Sequence, residues 1–364
     1  MAAQNPSFLH AALAVAARHH SNNCNFPETH ALVYKGRAYR YLYSALQTQT
    51  TKGVTEPVLA AMLLFLFFEA LDSGKDTWKI HLRAARRLIQ VSGGMRGVRG
   101  GMSSMLIDII GRSLAFSGPE SDYQPWGSSL SDVFHSLKEA EDYSFLGCPA
   151  ELLKIILCIT LINNQSKAPQ QECNNTTAGA VMTDISDRNF IPSAETLLSS
   201  IHAFSPEDWL QTRLPRMRLE DQRSYARIDP MELFHHVSAY KCAVHIFAVQ
   251  VLSPPLPAHT AAAQAALTNE LILHLSCLST GSVLYKGAVW TVFIAGTGAT
   301  TEFQRDFVRC ALKNIWSVLP QFNIKNAGTL LEEMWRDADR EGVGMGGGDW
   351  KARLAKGGID WLFI

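Results

Sequence analysis

Apolar residues recur with a helical period at the start of the chain. Asn5 or Ser7 can cap a first helix, with Pro6 in its first turn. A period of about 3.6 residues then predicts which side of that helix is apolar. The predicted apolar face consists of Phe8, Leu9, Ala12, Leu13, Val15 and Ala16.

The next two segments are also predicted to be helical. Residues 29–45 place apolar side chains one turn apart. Thr55 and Pro57 mark the start of a third helix, whose run Val58–Phe68 is apolar on all sides and is therefore expected at the centre of the fold. That run is shorter than the roughly 20 residues of a membrane-spanning helix, and Glu69 closes it.

The fourth predicted helix is amphipathic. Its apolar side carries Trp78, Leu82, Ala85, Leu88 and Ile89, and Gly93-Gly94 follows its end. Later helices are predicted by cap residues and apolar period, and we find no convincing alternating strand. The first of these helices begins at Asp229-Pro230 and runs toward Ser253. The others cover Ala261–Cys277, Glu302–Leu319 and Ala327–Arg340.

Three segments interrupt the helical pattern. Residues 117–131 and 342–348 are rich in turn formers, and the polar stretch 163–187 is expected to be a mobile loop. The helical period of the remaining segments predicts an all-α fold class. Because the apolar helices on both sides of that loop have the same character, one assembly is preferred to two independent domains. We expect one helical assembly over residues 1–364 with a polar insertion near 163–187.

Composition narrows the class of protein. The 364 residues are 47% hydrophobic and 18% charged, which is typical of a globular chain and argues against overall disorder. Lys plus Arg equals Asp plus Glu at 33 each, so the whole chain has no net attraction for nucleic acid or anionic membranes. The seven cysteines contain no Cys-x2-Cys pair and indicate reduced, intracellular thiols.

Motif searches yield no catalytic, cofactor-binding or metal-binding residue. Gly342–Gly348 has no preceding strand and no following Lys-Ser/Thr, and Ala295–Ala299 lacks the third glycine of a dinucleotide fingerprint and is interpreted as a helix break. The doublets His19-His20 and His235-His236 place adjacent rings on different helix faces, unlike a zinc-hydrolase pair. No Gly-x-Ser-x-Gly elbow is present.

Residues 77–107 contain no acidic side chain and form the one basic patch of the sequence. Contact with phosphate, an acidic partner or an anionic metabolite is one interpretation. A solvated helix face that meets acids from elsewhere is the other, and it is favoured. The basic residues are Lys79, Arg83, Arg86, Arg87, Arg96 and Arg99, with His81 among them.

Glu69 ends the apolar helix. A carboxylate is costly to bury alone, so a basic or hydrogen-bonding partner is expected, with an Arg or His of the following helix as the first candidate. We interpret Glu69 as a structural tie, and as a ligand-sensing group only if it faces a cavity.

Several segments, in order, resemble the regulatory domain of fungal zinc-cluster transcription factors. The block Asn5–His20 resembles the proline- and alanine-rich opening of that domain, and Leu63–Glu69 resembles its leucine-rich helix. Trp78–Ala85 is similar to Trp-x-x-His-Leu-x-Gly-Ala, with Ala84 in place of Gly, and Trp290–Gly296 is similar to Trp-Pro-x-Phe-x-x-Gly, with Thr291 in place of Pro. Leu330–Trp335 and the closing Asp349–Ile364 complete the resemblance.

The resemblance implies a helical, non-catalytic regulatory domain in the nucleus. The six-cysteine zinc cluster of the family is not in this sequence, so the chain looks N-terminally incomplete relative to the family. No cofactor is expected in the chain itself, and zinc only with a missing N-terminal cluster. A protein partner or homodimer is expected, with DNA reached indirectly or through that missing part, a small-molecule effector as a further candidate, and no membrane.

Two other hypotheses stay open at this point. The chain could be an intracellular helical enzyme or accessory protein of small-molecule metabolism built on the same fold, which would require an enclosed pocket with converging polar groups. It could also be a degenerate remnant without an independent role. The regulatory hypothesis, which extends to control of a metabolic gene cluster, predicts no turnover.

Overall fold

The computed structural model is helical throughout the part of the chain that it describes. It describes residues 5–24, 27–48, 56–74, 77–91, 94, 130–143, 148–167, 191–220, 228–252, 261–341 and 350. Within these ranges there are fourteen helices and no strand, which confirms the all-α fold class. None of these helices is long and apolar enough to cross a bilayer.

The helices are numbered in chain order, and the eight that the sequence predicts begin or end within a few residues of the expected positions. They are α1 (Pro6–Asn23), α2 (Glu28–Thr48), α3 (Glu56–Asp72), α4 (Trp78–Val91), α5 (Leu130–Tyr143), α6 (Ala150–Lys167), α7 (Ala194–Ala203), α8 (Pro206–Glu220), α9 (Pro230–Val251), α10 (Ala261–Ser276), α11 (Val283–Lys286), α12 (Val289–Gly298), α13 (Glu302–Val318) and α14 (Phe322–Glu341).

Local cap chemistry explains where several helices begin. The Asn5 side chain accepts a hydrogen bond from the Phe8 amide at 3.2 Å, and Asp229 accepts one from the Met231 amide at 2.9 Å. Thr301 and Gln304 form a reciprocal capping box at the start of α13. These side chains satisfy amides that the first turn of a helix leaves without a partner.

The buried face of α1 differs from the predicted one. Leu9 and Ala16 are exposed, and Phe8, Ala12, Leu13 and Val15 are only partly buried. The buried residues are instead Ser7, Ala11, Ala14, Ala17 and Arg18. Small side chains let α2 and α3 pack closely against α1, and this close packing outweighs the burial of larger side chains.

A main apolar core extends through the described helices, and a smaller cluster of Ala14, Ala17, Ala31 and Phe68 lies between α1, α2 and α3. Helices α3, α6, α9 and α12 are buried on nearly all sides, as the uniformly apolar run of α3 predicts. The core cluster reaches from Ala11 in α1 to Trp350. A single assembly over residues 1–364 stays a prediction, because parts of the chain lie outside the described ranges.

The predicted loop 163–187 is helical at its start. Helix α6 continues to Lys167, and Asn163 is buried within it. Ile159, one turn earlier, and Leu161 are also buried, so tertiary packing extends the helix into the polar stretch. Residues 168–187 lie outside the described part of the chain, as do nearly all of 117–131 and the whole of 342–348.

The predicted helix break at Ala295–Ala299 coincides with the end of α12, which stops at Gly298 before α13 begins at Glu302. Gly296 and Gly298 are the last residues of α12, and both are buried. A Cβ atom at Gly296 would lie 2.5 Å from Leu331 Cδ1 of α14, and one at Gly298 would collide with Thr268 Oγ1 of α10. These glycines are therefore required for close helix packing rather than for a turn.

The N-terminal and C-terminal helices are joined at the α3–α4 turn. Gly74 has φ +66°, and a Cβ there would lie 2.8 Å from the backbone nitrogen of Asn323. The Asn326 side chain donates to the Ser73 carbonyl at 2.8 Å, and Asn22 donates to the carbonyls of Leu71 and Pro320. The helices α1, α3 and α14 are thus fastened by side-chain amides to backbone carbonyls.

Candidate functional site

Glu69 is the centre of a buried polar network between three helices. Its carboxylate, 4% exposed, accepts hydrogen bonds from Lys35 Nζ of α2 at 2.8 Å and from Thr77 Oγ1 at 2.5 Å. His81 Nε2 of α4 lies 3.4 Å from Glu69 Oε1. The expected histidine partner on the following helix is confirmed, and Lys35 is an additional partner that the sequence analysis did not foresee.

Aromatic rings surround this network. The Tyr39 ring stacks on Phe65 with centroids 4.4 Å apart, and the Phe65 and His81 centroids are 5.3 Å apart. Tyr39 Oη lies 3.3 Å from His81 Nε2, and Lys35 Nζ lies 4.2 Å from the centre of the Phe68 ring. The rings exclude water and thereby strengthen the interactions of the carboxylate.

The surroundings of Glu69 fix its charge. Burial alone raises the pKa of Glu69, but hydrogen bonds from His81, Lys35 and Thr77, together with the Lys35 charge, outweigh it and lower the pKa to about 2. Burial and the nearby Glu69 charge raise the pKa of Tyr39 to about 12. The site therefore holds a permanent carboxylate at neutral pH, as a structural tie requires.

The predicted basic patch divides into an inner and an outer part. His81 is buried in the Glu69 network and does not belong to the exposed surface. Arg83 and Arg87 are exposed on the outer side of α4, whereas Lys79 and Arg86 are partly buried. Arg96 and Arg99 lie outside the described residues, and so does most of 77–107 beyond α4. The patch is thus a solvated helix face over the described turns.

In both histidine doublets the adjacent rings lie on different helix faces, as the spacing predicts, but one of the four rings contacts a histidine of another helix. His19 and His20 follow one another around α1, and His236 is buried beside Tyr240 with ring centroids 5.1 Å apart. His235, however, meets His274 of α10, with 3.0 Å between their Nδ1 atoms. The side-chain contact of His235 is therefore between helices and not within the doublet.

His274 also belongs to a second group of side chains, in which it lies close to Cys242 and Glu270. One ligand atom from each lies within 4.8 Å of the others. Burial, the negative charge of Glu270 and the hydrogen bond that the thiol donates to the Glu270 carboxylate raise the pKa of Cys242 to about 12. Burial and the neighbouring His235 lower the pKa of His274. The sequence analysis named none of these three residues as ligands.

A sequence signal for this cluster did exist. His235 and Cys242 are seven residues apart, and Glu270 and His274 are four apart, so each pair lies on one face of its helix. The two faces meet because α9 packs along α10. Only the tertiary structure shows that the two faces are neighbours.

The segments that carried the family resemblance occupy the core of the structure. Trp290 stacks on Tyr240 with ring centroids 5.8 Å apart, and the Trp335 indole N–H donates to the Gly296 carbonyl at 3.0 Å. Trp78 is buried at the start of α4. These motif residues fasten helices together and thereby help to specify the fold.

Comparison with known proteins agrees with this interpretation. The profile of the family described as "Fungal specific transcription factor domain" matches residues 1–364. The chain belongs to this family. No solved structure matches the chain.

A similar protein supports the family assignment. The chain is 26% identical over 360 residues to the acriflavine sensitivity control protein acr-2 of Neurospora crassa, a match that covers 91% of this chain and 53% of that protein. The chain thus spans about half the length of this relative. The family match assigns the chain to a transcription factor domain family, as the resemblance predicted.

Proposed function

We propose that this chain is the regulatory module of a nuclear transcription regulator and that it acts through protein contacts, with DNA reading located outside the chain. The observation that carries the proposal is the match of the transcription factor domain family to residues 1–364. The zero net charge of the chain also disfavours direct binding to DNA phosphates. The proposal also includes a small-molecule effector, to which we assign no binding site.

The outer face of α2 is the proposed protein contact, and we propose that it mediates self-association. Leu32 and Tyr43 are exposed along one line of α2, and Gly36 lies between them with open space where its Cβ would be. Tyr39 lies on the same line, but its ring packs against Phe65 and His81 in the Glu69 network and is only partly accessible. Large apolar side chains exposed in a row commonly mark an interaction surface. A stripe of this kind can pack against the same stripe of a second copy.

A reporter experiment tests the regulatory role. The chain is fused to an unrelated DNA-binding domain whose site lies upstream of a reporter gene, and a fluorescent fusion reports its location. We expect the reporter output to change several-fold relative to the DNA-binding domain alone and the fusion to accumulate in the nucleus. A stable, nuclear fusion that leaves the reporter unchanged would contradict the proposal.

The variant Tyr43→Arg tests the contact on α2. We expect it to weaken self-association at least tenfold in sedimentation analysis, because an uncompensated charge would enter an apolar interface. Phe303→Arg is the matched control, since Phe303 is an exposed aromatic residue on α13, and it should associate as the wild type does. If the wild type is monomeric, the contact is with a different partner. If Tyr43→Arg dimerises as the wild type does, the contact lies on a different face.

A further inference from the structure

Two long helices bring three different metal-binding side chains to one place. Cys242 lies on α9, and Glu270 and His274 lie one turn apart on α10. Their ligand atoms lie within 4.8 Å of one another, and this is the one group of its kind in the part of the chain that the structure describes. The cluster is separate from the Glu69 network and has no part in the proposed contact on α2.

The chemistry of the donor set is suited to zinc. Zn²⁺ binds thiolate sulfur at about 2.3 Å, imidazole nitrogen at about 2.0–2.1 Å and carboxylate oxygen at about 2.0–2.2 Å, in a tetrahedral arrangement. Magnesium and calcium prefer sites made only of oxygen. A thiol, an imidazole and a carboxylate within 4.8 Å need only side-chain adjustments of about 1 Å to reach tetrahedral spacing around zinc.

The surroundings of the cluster favour a cation and hold the histidine ring. Glu207 of α8 is close enough to act electrostatically on His274, which adds a second carboxylate near the site. His235 Nδ1 is 3.0 Å from His274 Nδ1, so the ligating ring has a hydrogen-bonding neighbour, as zinc-binding histidines usually do. The ammonium of the nearby Lys241 instead reaches the His202 carbonyl at 3.5 Å.

An ion can reach the cluster from solvent. Glu270 is exposed and His274 half-buried, whereas Cys242 is buried between the helices. The site is therefore closed on the protein side and open toward water, which leaves one tetrahedral position for a water molecule.

We propose that Cys242, Glu270 and His274 bind one Zn²⁺ ion that links α9 to α10. This site is distinct from the six-cysteine cluster that the family resemblance implies outside this sequence, and it replaces the expectation that the chain itself holds no metal. A metal that binds only the folded chain stabilises it, so the stability of the α9–α10 pair becomes zinc-dependent.

The test uses the whole chain, stripped with a chelator and titrated with ZnCl₂ in a calorimeter. We expect one ion per chain with micromolar or tighter affinity and a higher melting temperature with zinc than with magnesium. Glu270→Gln, at an exposed position that folding tolerates, should weaken the affinity by at least about tenfold. Absence of saturable zinc binding by folded wild type would overturn the proposal.

Cobalt substitution identifies the sulfur ligand. Co²⁺ added to the stripped chain should give a thiolate charge-transfer absorption that is lost in Cys242→Ser. Cys277→Ser is the matched control, because Cys277 is an exposed thiol just after α10 and should leave the absorption unchanged. An absorption that persists in Cys242→Ser, or that disappears in Cys277→Ser, would show that the metal binds elsewhere. If Cys242→Ser does not fold, His274→Gln tests the site instead, because loss of the imidazole ligand should weaken the affinity for Co²⁺ by at least about tenfold.

Discussion

Replacing Glu69 with glutamine is expected to lower the free energy of unfolding by about 2–4 kcal/mol at neutral pH. The Glu69 side chain is only 4% exposed, and its carboxylate accepts hydrogen bonds from Lys35, Thr77 and His81. Glutamine keeps the shape but removes the charge, so Lys35 loses its ion pair. Urea denaturation followed by circular dichroism measures the change.

The same variant should alter the acid sensitivity of the protein. The folded-state pKa of Glu69, about 2, is below its ordinary value of 4.5, so the carboxylate contributes stability above pH 4.5. That contribution is lost as the pH falls from 4.5 toward 2, and we expect it to amount to about 2–3 kcal/mol. The difference in unfolding free energy between wild type and Glu69→Gln should therefore shrink over this interval.

Glu139→Gln provides the control for both measurements. Glu139 is an exposed residue of α5 that pairs with His135 at 3.2 Å across one turn. Exposed pairs of this kind contribute little, so its stability should stay within about 0.5 kcal/mol of wild type. Equal stabilities for Glu69→Gln and Glu139→Gln would mean that the buried network gives no net stabilisation.

Replacing Trp290 with alanine is expected to cost about 3–5 kcal/mol. Trp290 is 1% exposed in α12, and its ring contacts Tyr240 and Phe247 of α9. Removing the indole leaves a cavity between α9 and α12, which are both largely buried. Thermal and urea unfolding should both show the loss.

Trp316→Ala is the matched comparison for Trp290→Ala. Trp316 is partly exposed on α13, where its ring meets Phe322 and the Lys325 ammonium lies 3.9 Å from its centre. Its removal leaves a surface depression that water can fill, so we expect a loss of about 1–2 kcal/mol. A loss at Trp316 as large as that at Trp290 would contradict the central position assigned to α12.

Local sequence determined that the chain is all-α and where many of its helices begin. Asn5, Asp229 and Thr301 cap helices through bonds to amides two or three residues away. The apolar run of α3 predicted a buried position, and the period of α4 predicted its buried side. Such features depend on neighbouring residues, so no knowledge of the fold is required to recognise them.

Only the tertiary structure shows which face of α1 is buried. It also explains the glycines at the end of α12. Both outcomes depend on how closely another helix approaches, and Gly296 shows this through its contact with Leu331. The approach distance is set by residues far away in the sequence, so periodicity within one helix cannot reveal it.

The two polar clusters show the same division between sequence and structure. That Glu69 needs a partner follows from the cost of burying a charge, and a histidine on the next helix could be expected. Lys35, thirty-four residues before Glu69, could not. The spacing of His235 and Cys242 and of Glu270 and His274 placed each pair on one helix face. Whether those faces meet depends on the packing of α9 against α10, because the ligand set is assembled by contacts between helices and not within them.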